Sequence, residues 1–323
     1  MKIWLNDIET EVDGNKTLLE ICRNRGISIP SLCYAPGAAH QPSCMVCMVQ
    51  NEATGDMLPS CSTYPVEGMR IATSSEEVLE LRKMALELLL SDHRADCDAP
   101  CATVCPEGLN IEGVLYYFDR KDYRRARGLM AAAFGDSEPL PCAGCKALCE
   151  KVCRRGMVDA HVEIRSILAA LAAMEIPDIQ ADASLKEPFA KGRFSSKVGR
   201  FSEQEKLRLK AEEPTPSNCL HCACGARKDC RLRDLATEAG IKAPDYGVAS
   251  AQPFKVRQQV TEHLWFEPAK CVRCGLCVYN TRDGFTFKGR GFSMQVVLPE
   301  ESRGNVDDSI AKLCPTGALS IFE

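Results

Sequence analysis

The stretch Ser31-Leu32-Cys33-Tyr34, followed by Ser43-Cys44-Met45-Val46-Cys47 and then Ser60-Cys61, spaces four cysteines as C-x10-C-x2-C-x13-C. Two irons bridged by two sulfides need four thiolates, two per iron. A long loop must wrap such a cluster, and a nearby strand must supply the last ligand. The plant-type pattern has a shorter first gap. Working outward, Lys2–Asn6 and Glu9–Val12 alternate as a hairpin does. Thr17–Arg25 predicts a short amphipathic helix, with Leu18, Leu19 and Cys22 on one face and Gly26 as its stop. Cys47–Gln50 and Met69–Ala72 read as further short strands. Cys22 lies outside the spacing and reads as a small buried residue.

The chain of 323 residues carries 20 cysteines, a net charge of −4 and 45% hydrophobic residues. That charge argues against nucleic acid or an anionic membrane as the main partner. The longest apolar run, around Met84–Leu90, is too short to span a bilayer. The first residues show no basic, apolar and small-residue succession of a secretion signal. The expectation is a soluble, cytoplasmic protein. In that reducing compartment, tight runs of cysteine mean metal rather than disulfides.

Ser75–Ser91 predicts a helix, capped by Ser75 with Glu76 and Glu77 in its first turn. Two cysteine loops follow, each leading into a helix. Cys97-x3-Cys101-x3-Cys105 precedes Ile111–Phe134, and Cys142-x2-Cys145-x3-Cys149-x3-Cys153 precedes His161–Met174. This is an internal repeat of loop plus helix. Seven cysteines are one ligand short of two four-iron clusters, and His93, set before Cys97 as His93-x3-Cys97, supplies an eighth. Residues 178–216 form a linker bracketed by prolines, with a short helix at Ser202–Glu212. It reads as a solvated strap, or, through Phe189, Phe194 and Phe201, as one laid over a partner.

Residues 217–323 hold two more cysteine groups. Cys219, Cys222, Cys224 and Cys230 are spaced C-x2-C-x-C-x5-C. Four thiolates this close suit a [4Fe–4S] cube, with zinc as the alternative. His221 is expected to point away. Cys271, Cys274 and Cys277 form C-x2-C-x2-C, completed by the remote Cys314-Pro315, a bacterial ferredoxin signature. In two-cluster ferredoxins the Cys-Pro thiolate serves the other cluster, so an exchange of Cys314 and Cys230 stays open.

The first constellation and its lead-in, Thr17-Leu-Leu-Glu20 and Gly26-Ile-Ser-Ile-Pro-Ser-Leu-Cys33-Tyr34, resemble the N-terminal ferredoxin domain of the large iron–sulfur subunit of respiratory complex I and of iron-only hydrogenases. The resemblance implies a β-grasp [2Fe–2S] domain over residues 1–74. The stretch Cys97-Asp-Ala-Pro-Cys101-Ala-Thr-Val-Cys105-Pro106, with Tyr116-Tyr117-Phe118 and Asp122-Tyr123-Arg124-Arg125-Ala126, resembles the N-terminal domain of the glutamate synthase small subunit and of dihydropyrimidine dehydrogenase. That resemblance implies a helical domain with two [4Fe–4S] clusters over residues 75–177. Arg94 stands where that family has its first cysteine, beside His93. In that family the last cysteine of each loop serves the opposite cluster. Carried over, Cys153 completes His93, Cys97 and Cys101, while Cys105 completes Cys142, Cys145 and Cys149. A local partition, with Cys142, Cys145, Cys149 and Cys153 together, is the alternative.

The whole is therefore expected to be an α+β multidomain chain: β-grasp ferredoxin, helical two-cluster domain, linker, and a C-terminal ferredoxin-like region with two clusters. One [2Fe–2S] and four [4Fe–4S] clusters use nineteen cysteines and His93. No G-x-G-x-x-G follows a strand, and no P-loop or nucleophile elbow occurs. The expectation is a non-catalytic electron-transfer subunit that needs flavoprotein partners, one binding FMN and NADH and a second binding FAD. Electron bifurcation, and the terminal donor and acceptor, are not legible in these residues.

Overall fold

In the computed structural model, residues 1–91, 93, 99–135, 137–177, 179, 203–211, 215–222, 230–241 and 258–321 are described below. Cys97 and Cys224, Arg94 and the phenylalanines Phe189, Phe194 and Phe201 lie outside the described residues.

Alternation at the N-terminus produces strands β1 (Lys2–Leu5) and β2 (Ile8–Glu11), paired antiparallel with Leu5 opposite Ile8. Asn6 and Asp7 make the two-residue turn in left-handed backbone, which these short polar residues tolerate. Helix α1 (Leu18–Asn24) starts with a reciprocal cap: Thr17 N–H donates to Glu20 at 2.8 Å, and Glu20 N–H donates back to Thr17 Oγ1 at 3.4 Å. Gly26, at positive φ, ends it. Strands β3 (Met48–Asn51) and β4 (Asp56–Pro59) form a second hairpin, and β5 (Arg70–Ala72) runs parallel beside β1. The sheet order is β2-β1-β5-β3-β4. Ile3, Leu5, Leu18, Leu19, Val49 and Ile71 close the core between sheet and α1. β4 is an addition to the strands read from the sequence; Pro59 is tolerated because β4 is an edge.

Helix α2 (Glu76–Ser91) begins where Ser75 Oγ accepts from Val78 N–H at 3.3 Å. It stands with the sheet rather than with the helices after it. The buried Arg82 donates through Nε and Nη2 to the Met48 carbonyl at 2.9 and 2.6 Å.

The chain divides into two units. One comprises Met1–His93, Asp229–Ala249 and Val256–Glu323; the other comprises Arg94–Lys228 and Ser250–Lys255. The second unit is helical among its described residues: α3 (Pro100–Thr103), α4 (Ile111–Asp119), α5 (Tyr123–Phe134), α6 (Leu148–Lys151), α7 (Ile164–Ala173) and α8 (Glu203–Ala211). The single helix expected over Ile111–Phe134 is two. Lys121 takes positive φ, and Asp122 caps the new helix by accepting from Arg125 N–H at 3.2 Å. α4 and α5 then pack on each other, burying Val114, Leu115, Ala126 and Met130. Leu209 seats α8 in this same core.

The rest of the first unit carries α9 (Arg231–Glu238), which packs beside α2. Strands β6 (Gln258–Gln259) and β7 (Leu264–Phe266) follow, then α10 (Leu276–Tyr279), the hairpin β8 (Thr286–Lys288) and β9 (Gln295–Val297), and β10 (Leu319–Ile321). β10, β7 and β6 make a three-stranded antiparallel sheet over Leu264, Phe266, Phe285 and Ile310.

Candidate metal centres

The N-terminal sheet presents Cys33, Cys44, Cys47 and Cys61 from its loops, all four buried. Cys47 immediately precedes β3 and Cys61 follows β4, so one hairpin fixes two ligands. Ser60 holds its mouth shut, donating through N–H at 3.2 Å and Oγ at 2.6 Å to the Cys47 carbonyl. The Sγ atoms of Cys33 and Cys44 lie 3.4 Å apart. Further thiol contacts join Cys33 to Cys61 and Cys61 to Cys47. Bonds from Cys44 and Cys61 pull the Cys33 thiol far below the usual thiol range. The bond from Cys61 lowers Cys47 to about 6. Cys44 and Cys61 are pushed up by those same partners and by burial. Four buried thiols linked in series, Cys44 to Cys33 to Cys61 to Cys47, fit a two-iron cluster. Among the described residues no three such groups close around a single-ion position. Cys22 is fully buried in the α1 face, and burial raises its thiol to about 11.

The C-terminal set assembles on the loop before α10. Arg273 and Gly275 take positive φ, which lets the chain curl so that Cys271, Cys274 and Cys277 share one side. Arg273 N–H points at Cys271 Sγ at 3.3 Å, and Leu319 N–H at Cys314 Sγ at 3.4 Å. Burial raises all three loop thiols, Cys274 and Cys277 to about 12, and each also feels the charge of Cys314. Cys230 caps α9 nearby, where Arg231 N–H donates to the Pro315 carbonyl at 2.9 Å. The buried ion pair Lys270–Glu267, at 2.8 Å, stiffens the turn leading into Cys271.

These two sets are neighbours within the first unit. The charge of Cys33 reaches Cys274. Arg231 lies by the Cys44 thiol and donates to Ser31 at 3.3 Å. Asn280 bonds Ala39 through both ends of its amide.

In the second unit, α3 packs against α6. Burial raises Cys142 and Cys149, Cys149 to about 11, and both feel Cys105; Cys142 also feels Cys145. Cys101 is raised by burial and then by Cys219, Cys222, Cys153 and Glu112, in that order. His93 is buried at the end of α2, in the first unit. Cys219 and Cys222 belong to the second unit and Cys230 to the first. His221 does turn from the cysteines: its ring nitrogens lie 3.1 Å from Glu112 and 3.1 Å from Asp119. Glu112, Asp119, Arg231 and Asn280 carry no sequence signal of these roles, because each acts on a residue distant along the chain.

The N-terminal geometry is that of an iron–sulfur protein, a domain built round a two-iron cluster. Residues 1–76 match the family of the 2Fe-2S iron-sulfur cluster binding domain. The HndD subunit of the NADP-reducing hydrogenase of Solidesulfovibrio fructosivorans is 37% identical over 102 residues, 30% of this chain and 17% of that protein. One subunit of the NADH-quinone oxidoreductase of Escherichia coli (strain K12) is 33% identical over 113 residues, 33% of this chain and 12% of that protein. The 75 kDa subunit of the NADH-ubiquinone oxidoreductase of Reclinomonas americana is 29% identical over 108 residues, 33% of this chain and 15% of its own length. This chain therefore spans a small part of these relatives. A chain of NAD+-reducing [NiFe]-hydrogenase, crystallised in the H2-reduced state, aligns with 99% of this chain and 86% of its own at a TM-score of 0.51 and 17% identity, a likeness of fold. Among the described residues no helix is long and apolar enough to cross a membrane.

Proposed function

We propose that this chain is a multi-cluster electron-transfer subunit of a cytoplasmic NAD(P)H-linked oxidoreductase. It carries one [2Fe–2S] and four [4Fe–4S] clusters and performs no bond chemistry itself. The observation that carries the reading is the nearness of two thiol sets in one unit, the Cys33–Cys44 loop being hydrogen-bonded through Ala39 to Asn280 beside Cys277. One cluster stabilises a fold; two placed side by side suit passage of an electron between them. Cys33, Cys44, Cys47 and Cys61 hold the two-iron cluster. Cys271, Cys274, Cys277 and Cys314 hold one cube, and Cys105, Cys142, Cys145 and Cys149 another. His93, Cys97, Cys101, Cys153, Cys219, Cys222, Cys224 and Cys230 serve the remaining two.

Each cluster accepts one electron from a neighbour and gives one onward, its potential set by ligands, hydrogen bonds and burial. A nicotinamide delivers two electrons as hydride, so a flavin must divide them. The partners are then a flavoprotein that oxidises NAD(P)H through FMN and a second bearing FAD. The relatives' own names, a NADP-reducing hydrogenase and an NADH-quinone oxidoreductase, support such a setting. The test is anaerobic purification of the native assembly. Co-elution with a flavoprotein, and cluster reduction by NADH or NADPH only when that flavoprotein is present, is the expected result. Reduction of the lone chain by either nucleotide would refute it.

A further inference from the structure

The last four cysteines before α9 invite a local reading as one cube, Cys219 through Cys230. Cys219 and Cys222 lie on a segment fixed to α4. Ser217 donates to Asp119 at the end of α4, through N–H at 2.7 Å and Oγ at 2.7 Å. His221 bridges Glu112 and Asp119, both nearly buried on the same helix, and meets the Tyr116 ring edge-on at 5.8 Å. The segment 215–222 is thereby pinned along α4. Cys222 and Cys101, each 8% exposed, enter the same core, with Cys219 and Cys153 packed against it.

The local geometry is that of a cluster loop. In Cys219-Leu-His221-Cys222 the third residue has φ +47 and its N–H points at Cys219 Sγ at 3.3 Å. In Cys271-Val-Arg273-Cys274 the third residue has φ +55 and its N–H points at Cys271 Sγ, also at 3.3 Å. Backbone N–H groups aimed at sulfur stabilise thiolate, the form that binds iron. α3 packs on α6. Cys101 lies in α3, and Cys153 follows α6.

We propose that Cys101, Cys153, Cys219 and Cys222 together hold one [4Fe–4S] cube. This deepens the electron-transfer reading and rests on it. It replaces the partition in which His93 and Cys97 complete Cys101 and Cys153. The cube also ties the segment before α9 to the helical unit, so its loss would loosen 215–222 as well as break the wire.

The experiment uses the full chain, assembled anaerobically, with Cys101→Ser, Cys222→Ser and the double variant, read by iron content and by EPR of the reduced protein. Each single variant is expected to lose the same EPR signal and about four irons, or to convert that signal in place, and the double variant to lose no more than either. Two different signals, or a double variant short of about eight irons, overturns the assignment. Glu112→Gln keeps an acceptor for His221 while removing a buried charge beside Cys101. Its expected effect is a raised midpoint potential of that same signal; a shift in another signal, or none, counts against the cube here. A wild-type chain with no cubes would instead refute the electron-transfer reading itself, so the two failures are distinct.

Discussion

Asn280 grips Ala39 from both sides: Ala39 N–H donates to its Oδ1 at 3.0 Å, and its Nδ2 donates to the Ala39 carbonyl at 2.7 Å. Ala39 lies in the long loop between Cys33 and Cys44, and Asn280 ends α10, which carries Cys277. This pair ties the loop of one cysteine set to the helix of the next, so the spacing between the two sets is built rather than incidental.

Asn280→Leu should therefore cost little stability, about 1 kcal/mol for partly exposed hydrogen bonds. Its larger expected effect is on the magnetic coupling between the reduced two-iron cluster and the C-terminal cube. Pulsed EPR of the variant should show that coupling weakened or dispersed. An unchanged coupling would mean that other contacts fix the two loops.

The reciprocal cap of α1 can be probed twice. Thr17→Ala removes the cap oxygen and should destabilise the domain by about 1 kcal/mol, measured as a lower denaturant midpoint. The bond from Thr17 N–H holds the Glu20 carboxyl below the usual carboxylate range, against burial. A lowered folded pKa gives stability that is present above the unfolded value of about 4.3 and lost as pH falls through the folded one. Glu20→Gln should accordingly flatten the acid side of the stability profile while leaving the neutral side lower throughout.

The ion pair Lys270–Glu267 has both side chains almost wholly buried, at 5% and 2% exposure. Truncating one member of a buried ion pair is strongly destabilising, so Lys270→Met should cost about 3–5 kcal/mol. Iron should leave the C-terminal cube faster in chelator, with the two-iron signal outlasting it. The double change Lys270→Met with Glu267→Leu should recover much of the loss. If the double variant is no better than the single, the pair is not the source of the stability.

His93→Cys should keep its cluster and lower the potential, because a thiolate adds a negative charge where imidazole had none. Unchanged iron content and EPR in His93→Ala would make the buried histidine merely structural.

Much of this was legible in the residues because ligand chemistry demands close spacing. Cys33 to Cys61 and Cys271 to Cys277 announce themselves on short loops. Helix α1 was equally plain, since Thr17 and Glu20 stand three apart ahead of an apolar face. The break between α4 and α5 was not, because the apolar period runs on past it; only Asp122, as a cap, hints at the turn. β4 was hidden by Pro59 and a lack of alternation. The approach of Cys219 and Cys222 to Cys101 could not be read at all, since it depends on Asp119 and Glu112 holding a segment about a hundred residues further along the chain.

The number of irons the chain holds separates a five-cluster electron carrier from a zinc-bearing protein most directly. Iron and acid-labile sulfide analysis of the anaerobically purified protein should give about 18 irons, from one two-iron and four four-iron clusters. A reproducible value near about 10, with stoichiometric zinc, would contradict it.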